Sequence, residues 1–137
     1  MKVLFAKDIV TIVKKHGLKT FFHELIAQLR SDFYDWDKFT LEPRVASHYP
    51  DGVIELMPAS TADLYAFKYV NGHPANTKKH NQLSIIGFGA LAHTHTGLPL
   101  LLTEMTLLTA LRTAATSALA TEYLANPESR CMALIGT

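Results

Sequence analysis

The stretch Gly52-Val-Ile-Glu55-Leu-Met57-Pro58 decides the fold, together with the run that follows after a short polar gap: Tyr65-Ala-Phe67-Lys68-Tyr69-Val70-Asn71-Gly72-His73-Pro74-Ala-Asn76. Two apolar runs of strand length each carry one ionisable residue near the middle, Glu55 in the first and Lys68 in the second. Strand side chains switch faces at every step. Tyr65, Phe67 and Tyr69 therefore share one face, and Leu64, Ala66, Lys68 and Val70 the other. An ammonium set among small apolar neighbours needs either a partner or a lowered pKa. The spacing leaves two readings open: Lys68 guards an edge strand against aggregation, or it meets a ligand. The polar turn from Asn71 to Asn76 favours the second, because ligand groups concentrate on strand ends and loops.

Just upstream, Arg44-Val-Ala-Ser-His48 reads as a strand and Tyr49-Pro-Asp-Gly52 as a turn. These two runs form a hairpin that brings Arg44 near Glu55, a cross-strand ion pair worth under ~1 kcal/mol on its own. Pro58 to Asp63 reads as a connector, and 76–82 as a solvated polar loop carrying Lys78, Lys79 and His80. Leu83 to Leu91 reads as a strand with Gly87 and Gly89 marking a close backbone approach. His93 to Gly97 closes a hairpin to Leu98–Thr103. His93 and His95 have no Cys, Asp or Glu at ligand spacing, so no metal site is expected.

At the N-terminus Val3–Phe5 is a short strand, and Ile9, Ile12 and Val13 mark a helix that stops at Gly17. Thr20 is the expected cap of a second helix. Its stripe of Phe22, Leu25, Ile26, Leu29, Phe33 and Trp36 packs on the sheet. A long helix spans about 106–125. Leu107, Leu111, Ala114 and Ala118 make its apolar face, and Thr106, Thr109, Thr113 and Thr116 a second stripe beside Arg112. Such hydroxyls either meet an anion with the guanidinium fork or bond their own helix backbone. Arg130 to Gly136 reads as an apolar strand ending in glycine, the way a dinucleotide-binding unit begins.

A chain of 137 residues is long enough for one domain of ordinary size. Its 48% apolar and 18% charged content is that of a globular protein. A formal charge of +1 points to neither nucleic acid nor an anionic membrane as partner. Cys131 is the sole cysteine, which excludes an internal disulfide and fits a reducing compartment. No stretch approaches the roughly 20 apolar residues of a membrane helix. A cytoplasmic protein is the expectation.

The blocks Arg44-Val-Ala-Ser-His48, Gly52-Val-Ile-Glu-Leu-Met-Pro58 and Tyr65 to Thr77 resemble the ornithine cyclodeaminase and mu-crystallin family. The resemblance covers nearly the whole chain. It implies an α+β fold: an antiparallel sheet packed by N-terminal helices, a long connecting helix, and the first strand of a truncated Rossmann domain. Residues 1–125 are then a substrate-binding and dimerisation domain, and 126–137 the start of the NAD-binding domain, cut within its cofactor motif. The implied activity is that of a lyase of arginine and ornithine catabolism and proline biosynthesis. It converts L-ornithine to L-proline and ammonia with a tightly held NAD that ends unchanged, in a homodimer.

Carried over residue by residue, the resemblance makes Arg44, Lys68 and Arg112 contacts for the substrate carboxylate. Lys68 is also the catalytic residue, moving protons at the α-amine. Glu55 and Met57 line the site, with Glu55 facing the distal amine. Ser84, Arg112 and Thr113 are cofactor contacts. The chain departs from the pattern at Ser84, where a close family enzyme has Thr, and the family's catalytic aspartate lies beyond Thr137. Two further functions are compatible: an amino-acid dehydrogenase or ketimine reductase of the same family, which Glu55 disfavours, and a non-catalytic fragment that folds, dimerises or binds an amino acid.

Overall fold

The computed structural model describes residues 1–135. Strands β3 (Val45–Tyr49) and β4 (Gly52–Ser60) form the expected antiparallel hairpin, in register from Val45↔Leu56 to Tyr49↔Gly52. Only glycine fits at its second corner. A Cβ on Gly52 would lie 2.3 Å from the Gly72 carbonyl oxygen and 2.7 Å from the His73 ring. Strand β5 (Leu64–Gly72) pairs antiparallel with β4, and β6 (Gly87–His93) with β5. Strand β7 (Pro99–Glu104) follows after a turn in which Gly97 has φ 67°. Strands β1 (Lys2–Leu4) and β2 (Thr40–Leu41) complete one sheet ordered β1-β7-β6-β5-β4-β2, with β3 also on β4. Among the described residues only the β1–β7 pairing is parallel. β5 is interior, so Lys68 is not an edge guard.

The helices are α1 (Ala6–His16), α2 (Leu18–Tyr34), the short α3 (Asn76–His80) and the long α4 (Thr106–Leu124). Asp8 accepts the Phe5 N–H at 2.9 Å and starts α1. Gly17, at φ 84°, stops α1 and directly opens α2, so Thr20 lies inside the first turn and is not the cap. The α2 stripe packs against α4 and not on the sheet: Phe22, Leu25 and Ile26 surround the buried Leu29, Ala115 and Leu119. An apolar stripe fixes which face is buried but not which neighbour covers it. Trp36 falls in a 3₁₀ turn beyond the helix, where it stacks on Phe33, and both remain about half exposed.

Four further expectations change. β4 continues through Pro58, where the connector was expected. On the far side of β4 the partner changes there, β3 ending opposite Leu56 and β2 starting opposite Ala59. The N–H that proline lacks therefore falls where that neighbour is interrupted. The polar 76–82 segment winds one turn of helix that closes on Asn81 at φ 52°. The strand expected from Leu83 begins only at Gly87; ahead of it, Asn71 takes over the ladder, donating its N–H to the Ile86 carbonyl and accepting the Ile86 N–H on its side chain. The buried face of α4 is Ala115 and Leu119, while Ala114 and Ala118 are exposed.

Residues 131–135 form no strand; a strand exists through its pairing, and they pair with no described strand. Gly136, the expected first glycine of a nucleotide motif, lies outside the described residues. Among the described residues no helix is long and apolar enough to cross a membrane.

Candidate functional site

The sheet places Lys68 directly opposite Met57 on β4 and Gly89 on β6. Residues paired across strands share a face. The next row on that face holds Ala46, Glu55, Val70 and Gly87. Both glycines give up side-chain volume to the start of α4. A Cβ on Gly89 would lie 2.8 Å from the Phe67 carbonyl oxygen and 3.1 Å from Met105 Cγ.

Two backbone-anchored bonds fix α4 at this height. The Met105 N–H donates to the Gly87 carbonyl at 2.9 Å, and the Gly87 N–H donates to Thr106 Oγ1 at 3.0 Å. The Glu104 carboxylate accepts the N–H groups of Thr106 and Leu107, satisfying the free donors at the helix start. Thr109 and Arg112 then follow three residues apart on one face of the helix. Lys68 Nζ reaches Thr109 Oγ1 at 3.4 Å.

The electrostatics join four of the expected residues. Burial holds the Lys68 amine below its usual range, the Arg112 and Arg44 guanidinium groups push it down further, and Glu55 opposes them. Across the hairpin, Arg44 Nη1 donates to Glu55 Oε1 at 2.9 Å. Glu55 is 19% exposed and Arg44 58%. Lys68, Glu55 and Met57 thus share one face of the sheet, where the charges of Arg44 and of Arg112 from α4 act on Lys68, with cations outnumbering the carboxylate. Such a cluster attracts an anion whose shape suits a guanidinium fork. Arg112 also borders a cleft of about 270 Å³ with Leu29, Asp32, Phe33, Trp36, Phe39 and Leu41.

Ser84 and Thr113 stand differently. Ser84 lies ahead of β6, its hydroxyl 3.1 Å from that of Thr77 and its carbonyl accepting the His73 N–H. Thr113 is exposed on α4 beside Arg112. The threonines of α4 divide by role. Thr106 and Thr109 bond to the sheet, whereas Thr116 and Thr121 donate to the carbonyls of Arg112 and Ser117. Thr109 was not among the expected site residues, although its place in the stripe was a signal for it. At the other end of β6 the His93 and His95 rings are 5.5 Å apart and His95 lies 3.6 Å from Asp63. Among the described residues no three His, Cys, Asp or Glu side chains converge as metal ligands.

Comparison with known proteins bears on the family and the fold. The family model for the ornithine cyclodeaminase/mu-crystallin family matches residues 6–137. An ornithine cyclodeaminase of Agrobacterium tumefaciens (strain Ach5) is 58% identical over 125 residues, which are 91% of this chain and 35% of that protein. The chain thus spans about a third of that relative's length. A lysine cyclodeaminase, whose structure concerns recognition of L-lysine, L-ornithine and L-2,4-diaminobutyric acid, superposes with TM-score 0.84 at 28% identity over 93% of this chain and 39% of its own. An archaeal alanine dehydrogenase, a dimer with bound NAD, superposes with TM-score 0.77 at 26% identity over 94% of this chain and 38% of its own. A family model that matches residues 6–137 and a relative 58% identical over 91% of the chain place it: the chain belongs to the ornithine cyclodeaminase/mu-crystallin family.

Proposed function

We propose that this chain is the substrate-binding part of an NAD-dependent ornithine cyclodeaminase, a lyase that converts L-ornithine to L-proline and ammonia. The observation that carries the reading is Lys68 and Glu55 on one face of the sheet, with Arg44 bonded to Glu55 and the charges of Arg44 and of Arg112 from α4 acting on Lys68. An α-amino acid with a distal amine presents the complementary pattern. Its carboxylate meets Arg44, Lys68 and Arg112, and its distal ammonium meets Glu55. Met57, opposite Lys68, walls the aliphatic stem. A Lys68 amine held below its usual range by burial gives up its proton more readily, which suits a group that takes and returns a proton at the substrate α-amine.

NAD, when bound, supplies a reversible hydride acceptor. In this reading the Arg112 guanidinium and the hydroxyls of Thr113 and Ser84 would hold its phosphate and ribose oxygens, chemistry that these groups suit. In this reading residues 1–125 are the substrate domain and 126–137 lead towards a cofactor domain. The face of the sheet opposite Lys68 carries the partly exposed Val45, Leu56, Tyr65 and Phe88, which supports a homodimer through that face. A lone cysteine fits a cytoplasmic location. Glu55 separates this reading from a dehydrogenase of simple amino acids, which has no distal amine to hold.

Calorimetric titration of the chain with L-ornithine and with L-norvaline, which lacks the distal amine, tests the reading. Tighter binding of L-ornithine is expected. Equal affinity removes the role of Glu55, and binding of neither removes the substrate assignment.

A further inference from the structure

Thr109 is a threonine on a helix, where the ordinary fate of the hydroxyl is to donate to the carbonyl one turn back. Thr11, Thr116 and Thr121 do this, at 2.8, 2.9 and 2.8 Å. The Thr109 hydroxyl instead turns to the sheet, 3.4 Å from Lys68 Nζ in a half-buried setting. That turn is built into the fold. Gly87 engages both its N–H and its carbonyl with Thr106 and Met105, and Gly89 admits the Met105 side chain over the strand next to Lys68. The helix therefore presents Thr109 to the amine at a height that its own side-chain rotation does not decide.

We propose that Thr109 is the positioning residue for Lys68: its hydroxyl fixes the Nζ atom between Arg112 on α4 and the Arg44–Glu55 pair on the hairpin, so that the remaining Nζ protons face the substrate carboxylate. The role rests on the substrate reading above. A hydroxyl suits it chemically, because it accepts from an ammonium and donates to a neutral amine, and so holds Nζ in place through a change of protonation. The charged groups acting on Lys68 are Arg112 from α4, Arg44 from the segment ahead of β3 and Glu55 from β4; Thr109 is the neutral contact among them. A separation of 3.4 Å is long for such a bond, and active-site hydrogen bonds of this kind tighten when the ligand is bound.

The test uses the whole chain and the variants Thr109→Val and Thr109→Ser. Valine keeps the shape and removes the hydroxyl; serine keeps the hydroxyl. Two quantities are read: the titration midpoint of Lys68 by NMR of labelled lysine, assigned by its loss in Lys68→Met, and the L-ornithine dissociation constant. A bond to the ammonium is stronger than one to the neutral amine, so Thr109→Val lowers the midpoint further and weakens L-ornithine about tenfold. Thr109→Ser restores both. A folded Thr109→Val with an unmoved midpoint overturns the proposal, as does a serine variant that behaves like valine. Should valine fail to fold, Thr109→Ala gives the same readout. A moved midpoint in a chain that binds no L-ornithine upholds the Lys68–Thr109 coupling and defeats the substrate reading. An unmoved midpoint with L-ornithine affinity intact defeats the coupling alone.

Discussion

Arg44 Nη1 donates a 2.9 Å hydrogen bond to Glu55 Oε1 across the β3–β4 hairpin, so one carboxylate oxygen is committed within the protein and the second is left for another donor. The pair joins the two residues assigned to opposite ends of one substrate. Its contribution to stability is small, because Arg44 is 58% exposed and solvent screens the attraction.

Glu55→Gln is therefore expected to change the free energy of unfolding by less than about 1 kcal/mol. It is expected to abolish the preference for L-ornithine over L-norvaline. Urea unfolding and calorimetry on the same samples separate the two effects. A large loss of stability with the preference retained makes Glu55 a structural residue.

Lys68 gives a pH dependence with a definite sign. Its folded-state pKa lies below the ordinary 10.5, chiefly through burial and then through Arg112 and Arg44. Between the folded value and 10.5 the unfolded chain holds a proton that the folded chain has released, so stability rises with pH across that window and is lost as pH falls through the folded value. Lys68→Met removes this slope. Denaturation curves at several alkaline pH values show it; identical slopes in parent and variant would mean that burial does not act on the amine.

Gly89→Ala tests the seat of α4 on the sheet. The added methyl meets the Phe67 carbonyl oxygen at 2.8 Å and Met105 Cγ at 3.1 Å, and the backbone contact has no flexible end to yield. A cost of about 1–3 kcal/mol is expected, measured by urea unfolding. The loss of L-ornithine affinity is expected to exceed that of a surface variant such as Lys14→Ala, because α4 carries Thr109 and Arg112. An alanine variant of parental stability would show that α4 does not rest where the geometry puts it.

Much of the sheet could be read from apolar runs of strand length bounded by turn residues. The Leu64–Val70 run alternates aromatic and other residues, Gly52–Met57 is an apolar run of strand length, and a Pro-Asp-Gly turn announces the hairpin. What the pattern could not give was the neighbour of each element. The stripe on α2 does not say whether Leu25 and Leu29 meet a sheet or a helix, and they meet α4. Pro58 looks like a break because proline removes a donor; only the interrupted pairing beyond it shows that the strand passes through. For the site, spacing alone leaves Lys68 and Arg112 with two readings each, and the family resemblance is what singles out Arg44, Glu55, Lys68 and Arg112; Thr109 is one of several similar threonines until the helix is placed over the strand. Its role depends on tertiary placement fixed by Gly87 and Gly89, which local sequence does not encode.

The central claim is that cations from the central strand and from α4 hold one carboxylate together. The most direct measurement is calorimetric binding of L-ornithine, and of its decarboxylated counterpart putrescine, to the parent, Lys68→Met, Arg112→Met and the double variant. Each single variant is expected to weaken L-ornithine by about tenfold or more, the double variant by less than the product of the two because both groups serve the same ligand atoms, and none is expected to change putrescine binding. Equal losses for both ligands, or independent effects that multiply in full, would contradict it.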